Sequence, residues 1–284
     1  MKKVALINDL SGFGKCSLTA AIPVISIMGL QACPLPTAVL SAQTGFPSFY
    51  CDDFTDKMDF FTTEWQKLDV HFDGIHSGYL ASPAQIEKVI SFLDCFQKQN
   101  TIYLADPVMG DNGKTFKAFT PQLLSGMKRL VTRANVITPN LTELCLLADF
   151  DYSDLVRHAD KSDYLERIAA ICHTLLKNTS AKQTIVVTGI ISHSNGNSYM
   201  GNLSVNADTT FYTETPYTGM GFSGTGDLFA AVVCGGLVNQ LPLESTIRLA
   251  VDFLQPAIEE ASREQVPANH GIHFEKYLGK LMQI

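Results

Sequence analysis

The sequence predicts an α/β fold: a mostly parallel central sheet with helices on both faces and an antiparallel hairpin at one edge. Three observations carry that expectation. Short apolar or β-branched runs alternate with longer stretches of helical periodicity along the chain. Several of the apolar runs end in polar or glycine-rich steps, namely Asn8-Asp9, His76-Ser77-Gly78-Tyr79, Asp106, Thr138-Pro139-Asn140 and Thr188-Gly189. Two alternating stretches, residues 198–205 and 209–215, flank the turn residues Asn206-Ala207-Asp208 and read as a hairpin. No Pro-, Gly- or Ser-rich linker and no internal repeat interrupts the 284 residues, so a single domain over 1–284 is expected.

Each element has a local reason. Residues 4–7, Val-Ala-Leu-Ile, have no polar face and read as a buried strand. Residues 17–28 are helical, with Gly29 as stop signal. Residues 38–40 end a second strand, and 54–68 carry an amphipathic helical pattern. Residues 74–76 enter a third strand, and a helix over 85–97 follows Pro83. Residues 101–105 are β-rich and run directly into Asp106-Pro107. A helix over 121–128 precedes a strand over 135–138 that Pro139 stops. Residues 140–147 and 164–176 read as helices, 184–187 as a β-branched strand, and 226–238 and 243–260 as closing helices.

Composition excludes several functions. With 46% hydrophobic and 17% charged residues the chain is too apolar for a disordered protein. No apolar run approaches the ~18 residues of a membrane span. The net charge of -7 and the lack of a Lys/Arg cluster argue against nucleic acid and anionic membranes as partners. The seven cysteines are odd in number and form no C-x-x-C pair, so neither a disulfide framework nor a zinc site is expected. A reducing, cytoplasmic location fits. The apolar run near the start is cut by Asn8 and Asp9, too short for a secretory leader.

In sheets of this class ligands bind outside the carboxyl ends of the strands. Two glycine motifs near such ends fail. Gly12-Phe13-Gly14-Lys15 lacks the first glycine and the hydroxyl residue of a P-loop, since Asp9 and Cys16 stand there. Gly219-x-Gly221-x-x-Gly224 matches a dinucleotide fingerprint only as a string, because it does not follow the first strand of a βαβ unit. Gly224-Thr225-Gly226-Asp227 is stronger, since it runs directly into the apolar helix of residues 228–233. Glycines at a helix N-terminus expose N–H donors and make an anion site. An isolated Asp227 would read as a first-turn carboxylate, whereas beside an anion hole it can take a proton from an attacking hydroxyl. Asp106, Asp111, Asn140 and Glu143 offer hard oxygen ligands of the kind Mg²⁺ takes. The alternative for Asn140-x-x-Glu143 is a capping box.

Taken in order, Asp9 through Gly14, Ser77-Gly78-Tyr79-Leu80, Asp106-Pro107-Val108-Met109-Gly110-Asp111, Ile137-Thr138-Pro139-Asn140-x-x-Glu143 and Gly224-Thr225-Gly226-Asp227-Leu228-Phe229 resemble the ribokinase superfamily, and within it the pyridoxal kinase group. The resemblance implies a ribokinase-like three-layer sandwich and ATP-dependent phosphorylation of a hydroxymethyl group on an aromatic ring. It implies Asp227 as general base and the N–H groups of Gly224, Thr225, Gly226 and Asp227 as anion hole. Asp106, Asp111, Asn140 and Glu143 would organise Mg²⁺ and the phosphates, with Asp106 and Glu143 toward the metal and Thr188 at the nucleotide. Asp9, Thr44 and Tyr79 align with positions that contact the vitamin. K⁺ often assists in this family, which usually forms homodimers.

A sister group phosphorylates hydroxymethylpyrimidine in thiamin synthesis. It typically carries Cys where Asp227 stands, which favours pyridoxal, yet Asp9-Leu10-Ser11-Gly12 resembles the pyrimidine kinases. The competing expectations are therefore a pyrimidine or bifunctional kinase and, in another class, a non-catalytic vitamin- or nucleotide-binding protein.

Overall fold

The computed structural model describes residues 1–160, 162–179 and 182–282. The chain is an α/β protein with a nine-strand, mostly parallel mixed sheet flanked by helices. Its residues group into two compact units, Met1–Leu104 with Met220–Ile284, and Ala105–Gly219.

The first unit begins with β1 (Lys3–Ser11), α1 (Ser17–Ile27), β2 (Gln31–Leu40), β3 (Cys51–Asp53), α2 (Met58–Lys67), β4 (Gly74–Ser77), α3 (Pro83–Phe96) and β5 (Ile102–Ala105), whose last residue opens the second unit. β1 pairs in parallel with β2 on one side and β4 on the other. Val4, Ala5, Leu6 and Ile7 are buried, as an all-apolar run between two neighbours must be. β1 continues past this run through Asn8 and Asp9 to Ser11, so these polar residues lie within the strand rather than beyond it. Its register with β2 slips between Asn8 and Leu10, an irregularity of the kind that re-aims side chains near sites.

β2 is longer than its last three residues because Pro34 and Pro36 are tolerated in it. The Gln31 N–H donates to the Lys2 carbonyl at 2.9 Å, so by alternation residues 34 and 36 direct their nitrogens to the outer edge. β3 covers that edge only from Ala38 onward, and the missing N–H groups disrupt no ladder. At the start of α3, Ser82 accepts from the Gln85 N–H and Pro83 occupies the first turn, which costs it no intrahelical bond.

The second unit contains β6 (Gly110–Asp111), β7 (Lys114–Thr115), α4 (Pro121–Val131), β8 (Val136–Ile137), α5 (Leu141–Ala148), α6 (Tyr152–Val156), α7 (Tyr164–Leu176), β9 (Thr184–Ser194), β10 (Asn197–Val205) and β11 (Thr210–Pro216). β8 and β9 are parallel, and β9, β10 and β11 form an antiparallel meander. The expected hairpin is β10–β11. A second one precedes it, because β9 runs to Ser194 and turns on Asn195-Gly196, with φ of 51° and 78°. Asn112-Gly113, with φ of 50° and 74°, turns β6 into β7 in the same way. Both turns need two consecutive positive φ angles, which Asn-Gly adopts at least cost.

The chain closes in the first unit with α8 (Thr225–Val238) and α9 (Leu243–Arg263), followed by short 3₁₀ turns at Ala268–His270 and Phe274–Leu281. α8 is buried continuously from Leu228 to Gly236, as a helix that is apolar all round should be. No described helix is long and apolar enough to cross a membrane.

Candidate active site

In the first unit, the turn into α8 forms a cradle of backbone N–H groups. Gly224 is the N-cap, at φ +84°. A Cβ there would sit 2.1 Å from the Lys15 carbonyl oxygen, so only glycine fits. The first bond back to the cap is Leu228 N–H to Gly224 C=O, at 3.0 Å. The N–H groups of Thr225, Gly226 and Asp227 therefore precede the helical ladder, as an anion hole requires. Thr225 Oγ1 donates to the Phe222 carbonyl at 3.0 Å and steadies the turn. Gly226 is exposed, and a Cβ on it would meet nothing within 4 Å.

Asp227 stands at the end of this cradle. Its Oδ1 accepts from Asn8 Nδ2 at 3.0 Å. Burial pushes its carboxyl up to about 6; the Ser17 backbone N–H and the Asn8 amide oppose that push, and the Asp9 charge adds to it. Asp9 is itself buried and accepts from Ser17 Oγ at 2.5 Å and Ser11 Oγ at 2.7 Å. Burial raises the Asp9 carboxyl despite those bonds. Tyr79 is half-buried just after β4; burial, then the Asp9 charge, raises its phenol. Asp9, Tyr79 and Asp227 are thus in electrostatic reach of one another through Asp9. Thr44 is exposed in the loop between β2 and β3. That loop is held by Gln43, whose Nε2 donates to Ser223 Oγ and the Asn269 carbonyl, each at 3.2 Å.

In the second unit the nucleotide candidates gather around Glu143. One oxygen accepts from the Asn140 N–H at 2.9 Å, while Asn140 Oδ1 accepts from the Glu143 N–H at 3.0 Å: the capping box is formed. The other oxygen accepts from the Met109 N–H at 3.1 Å, clasping the segment after β5. Burial, then the Asp106 charge, raises the Glu143 carboxyl well above its ordinary value. Asp106 Oδ1 accepts from Thr138 Oγ1 at 3.1 Å. Asn140 Nδ2 donates to the Gly110 carbonyl at 2.8 Å. Thr188 forms a parallel bridge with Asn140. Asp111 turns back on its own hairpin, accepting from the Asn112 N–H at 2.8 Å and Asn112 Nδ2 at 3.0 Å.

This donor set fits a divalent cation. Asp106 and Glu143 are buried carboxylates, the Asp106 charge disfavours ionisation of Glu143, and a bound cation would relieve that repulsion. Two carboxylates, with water and phosphate completing the shell, suit Mg²⁺. Among the described residues no cluster of three or more His, Cys, Asp or Glu forms a self-sufficient metal cage.

The profile of the family described as phosphomethylpyrimidine kinase matches residues 18–273. The chain belongs to the pyridoxal kinase and phosphomethylpyrimidine kinase family of the ribokinase superfamily. This kinase family consists of pyridoxal kinase-like phosphotransferases. A Bacteroides thetaiotaomicron protein, provisionally named a phosphomethylpyrimidine kinase and crystallised with pyridoxal, is 36% identical, with a TM-score of 0.89 over 99% of this chain and 95% of its own. Pyridoxal kinase from Lactobacillus plantarum is 25% identical, with a TM-score of 0.86 over 99% of this chain and 97% of its own. Pyridoxal kinase from Dictyostelium discoideum is 22% identical over 280 residues, covering 94% of this chain and 89% of its own.

The sequence places Asn8 only at a polar strand end and assigns it no role beside the expected general base. Asn8 carries the side-chain amide that contacts Asp227. Its one sequence signal is a polar pair closing an apolar strand, and of that pair the family resemblance covers only Asp9.

Proposed function

We propose that the protein transfers the γ-phosphoryl group of ATP to the 5′-hydroxymethyl group of a vitamin B6 form, pyridoxal, pyridoxine or pyridoxamine. The observation that carries this reading is the Asp227 carboxyl, raised to about 6 and placed in the first turn of α8 behind Gly224-Thr225-Gly226. A base of that pKa is largely ionised at neutral pH yet still accepts a proton readily. Asp227 takes the proton of the CH₂OH group as its oxygen bonds to the γ-phosphorus. The bond from phosphorus to the bridging oxygen breaks, and ADP leaves. The N–H groups of residues 224–227 hold the charge on the transferring group, since this chemistry relies on positioning and electrostatics.

Asp9 and Tyr79 bind the ring of the vitamin, with Thr44 on the adjoining loop. Asp106 and Glu143 hold Mg²⁺, and Asn140, Asp111 and Thr188 serve the nucleotide. Bound Mg²⁺ neutralises phosphate charge. By the same resemblance the protein works as a cytoplasmic homodimer with K⁺ assisting. The pyridoxal-bound Bacteroides relative supports the choice of ring.

The second reading, hydroxymethylpyrimidine as acceptor, is favoured by one observation. Asp9 is a buried carboxylate locked by Ser11 and Ser17, within the segment that resembles the pyrimidine kinases. Incubation with Mg²⁺-ATP and pyridoxal should yield ADP and a 5′-phosphate ester in equal amounts by mass spectrometry. Absence of the ester would overturn the reading.

A further inference from the structure

We infer that Asn8 is a positioning residue for phosphoryl transfer, its side-chain amide orienting the Asp227 carboxylate and favouring its ionised form. This inference rests on the reading of Asp227 as general base. Asn8 is 2% exposed and lies in β1 just before the register slip. Its amide cannot turn over. Oδ1 accepts from the Asp9 N–H at 2.9 Å and from the Tyr79 N–H at 2.8 Å. A flipped amide would set its NH₂ against two N–H donors. Nδ2 is thereby directed at Asp227 Oδ1, 3.0 Å away. Gly78 leaves the room, since a Cβ there would lie 2.3 Å from Asn8 Nδ2. One amide thus ties together the end of β1, the segment after β4 that carries Tyr79, and the first turn of α8.

Asp227 interacts with Ser17, Asn8, Asp9 and Cys16, and among the described residues the other titratable groups on β1, before α1 and on β4 supply it with no further donor. Asp9, from β1, repels it. Cys16, before α1, has its thiol pushed up to about 12 by burial and by the Asp227 and Asp9 charges, so it carries no charge at neutral pH. His76, on β4, is buried and neutral, its ring lowered to about 4. Lys15, next to Cys16, pairs with Glu275 at 2.9 Å. Favourable contacts come from the Ser17 backbone N–H and the Asn8 amide. Only the second can be altered by substitution without moving the main chain.

Asn8→Asp tests this. It keeps an oxygen for the Asp9 and Tyr79 N–H groups but turns a second oxygen toward Asp227. The acidic limb of kcat should move up by about one pH unit or more, as for carboxylates sharing a site, with activity recovering at alkaline pH. KM for ATP should stay within about twofold, the mark of a change confined to the chemical step. Asn8→Ala, which only removes the donor, should move the limb in the same direction by less and covers a failure of the first variant to fold. An unmoved limb in a folded variant, or a fall in kcat equal at every pH, would overturn the inference and leave Asn8 a purely structural residue. Asp227→Asn separates the two failures. If it keeps the parent kcat, the base assignment fails and this inference with it. If it is inactive while the Asn8 variants keep the parent limb, only this inference fails.

Discussion

The carbonyl oxygen of Lys15 lies 2.1 Å from where a side chain on Gly224 would begin. The turn before α1 and the cap of α8 are therefore packed main chain against main chain, and the cradle of N–H groups proposed as the anion hole inherits its shape from that contact. Gly224→Ala adds a left-handed φ penalty to a collision with backbone that cannot rotate away. The cost should be at least about 2 kcal/mol. Urea denaturation should show a lower midpoint, and the folded fraction should lose turnover. An unchanged midpoint would mean that the turn is not under this constraint.

Asp227→Asn should lower kcat by roughly 10²–10⁴-fold, the range for loss of a general base. It should also stabilise the protein. The Asp227 carboxyl lies at about 6 in the fold against an ordinary 3.8, so folding favours the protonated form and ionisation costs stability as pH rises through about 6. The variant should melt above the parent at pH 8, with the gap closing toward pH 4. Equal melting curves at every pH would contradict the burial of that charge.

His76 governs part of the acid limit. Its ring is buried, its Nε2 has no hydrogen-bond partner, and burial lowers its pKa from 6.5 to about 4. The unfolded chain takes up the proton first, so stability is complete above pH 6.5 and declines as pH falls toward 4. That decline amounts to about 3 kcal/mol. In His76→Leu, denaturation midpoints between pH 6.5 and 4 should fall less steeply than in the parent. Identical slopes would place the acid sensitivity elsewhere.

Glu143→Gln separates capping from metal binding. The amide offers one acceptor where the Met109 and Asn140 N–H groups need two, so about 1–3 kcal/mol of stability should be lost. The Mg²⁺ concentration giving half-maximal activity should also rise several-fold, on the order of 1 kcal/mol of lost metal affinity. A destabilised variant with an unaltered Mg²⁺ titration would leave Glu143 as a cap alone.

Much of this architecture follows from local rules. The buried run Val4–Ile7, the capping pair Asn140 and Glu143, and the glycine entry to α8 each declare themselves by residue type and spacing. What sequence reading missed follows from tertiary context. Pro34 and Pro36 argue against a strand until it is known that β3 leaves their edge uncovered. Asn195-Gly196 and Asn112-Gly113 are hairpin signals, but each sits beside a polar stretch that reads as loop. The contact between Asn8 and Asp227 spans 219 residues, and no local pattern announces it. The Asp111 carboxylate accepts from the Asn112 N–H and Nδ2 within its own hairpin, a local contact that follows from the turn geometry and not from the strand-end pattern that singles out Asp111.

The identity of the acceptor alcohol decides between the two kinase readings. The most direct test compares kcat/KM for ADP release by purified protein with Mg²⁺-ATP and either pyridoxal or hydroxymethylpyrimidine, with the phosphate ester identified in each case. Pyridoxal should dominate and be phosphorylated on its 5′-hydroxymethyl group. Dominant turnover of the pyrimidine, or none with either alcohol, would contradict the pyridoxal reading.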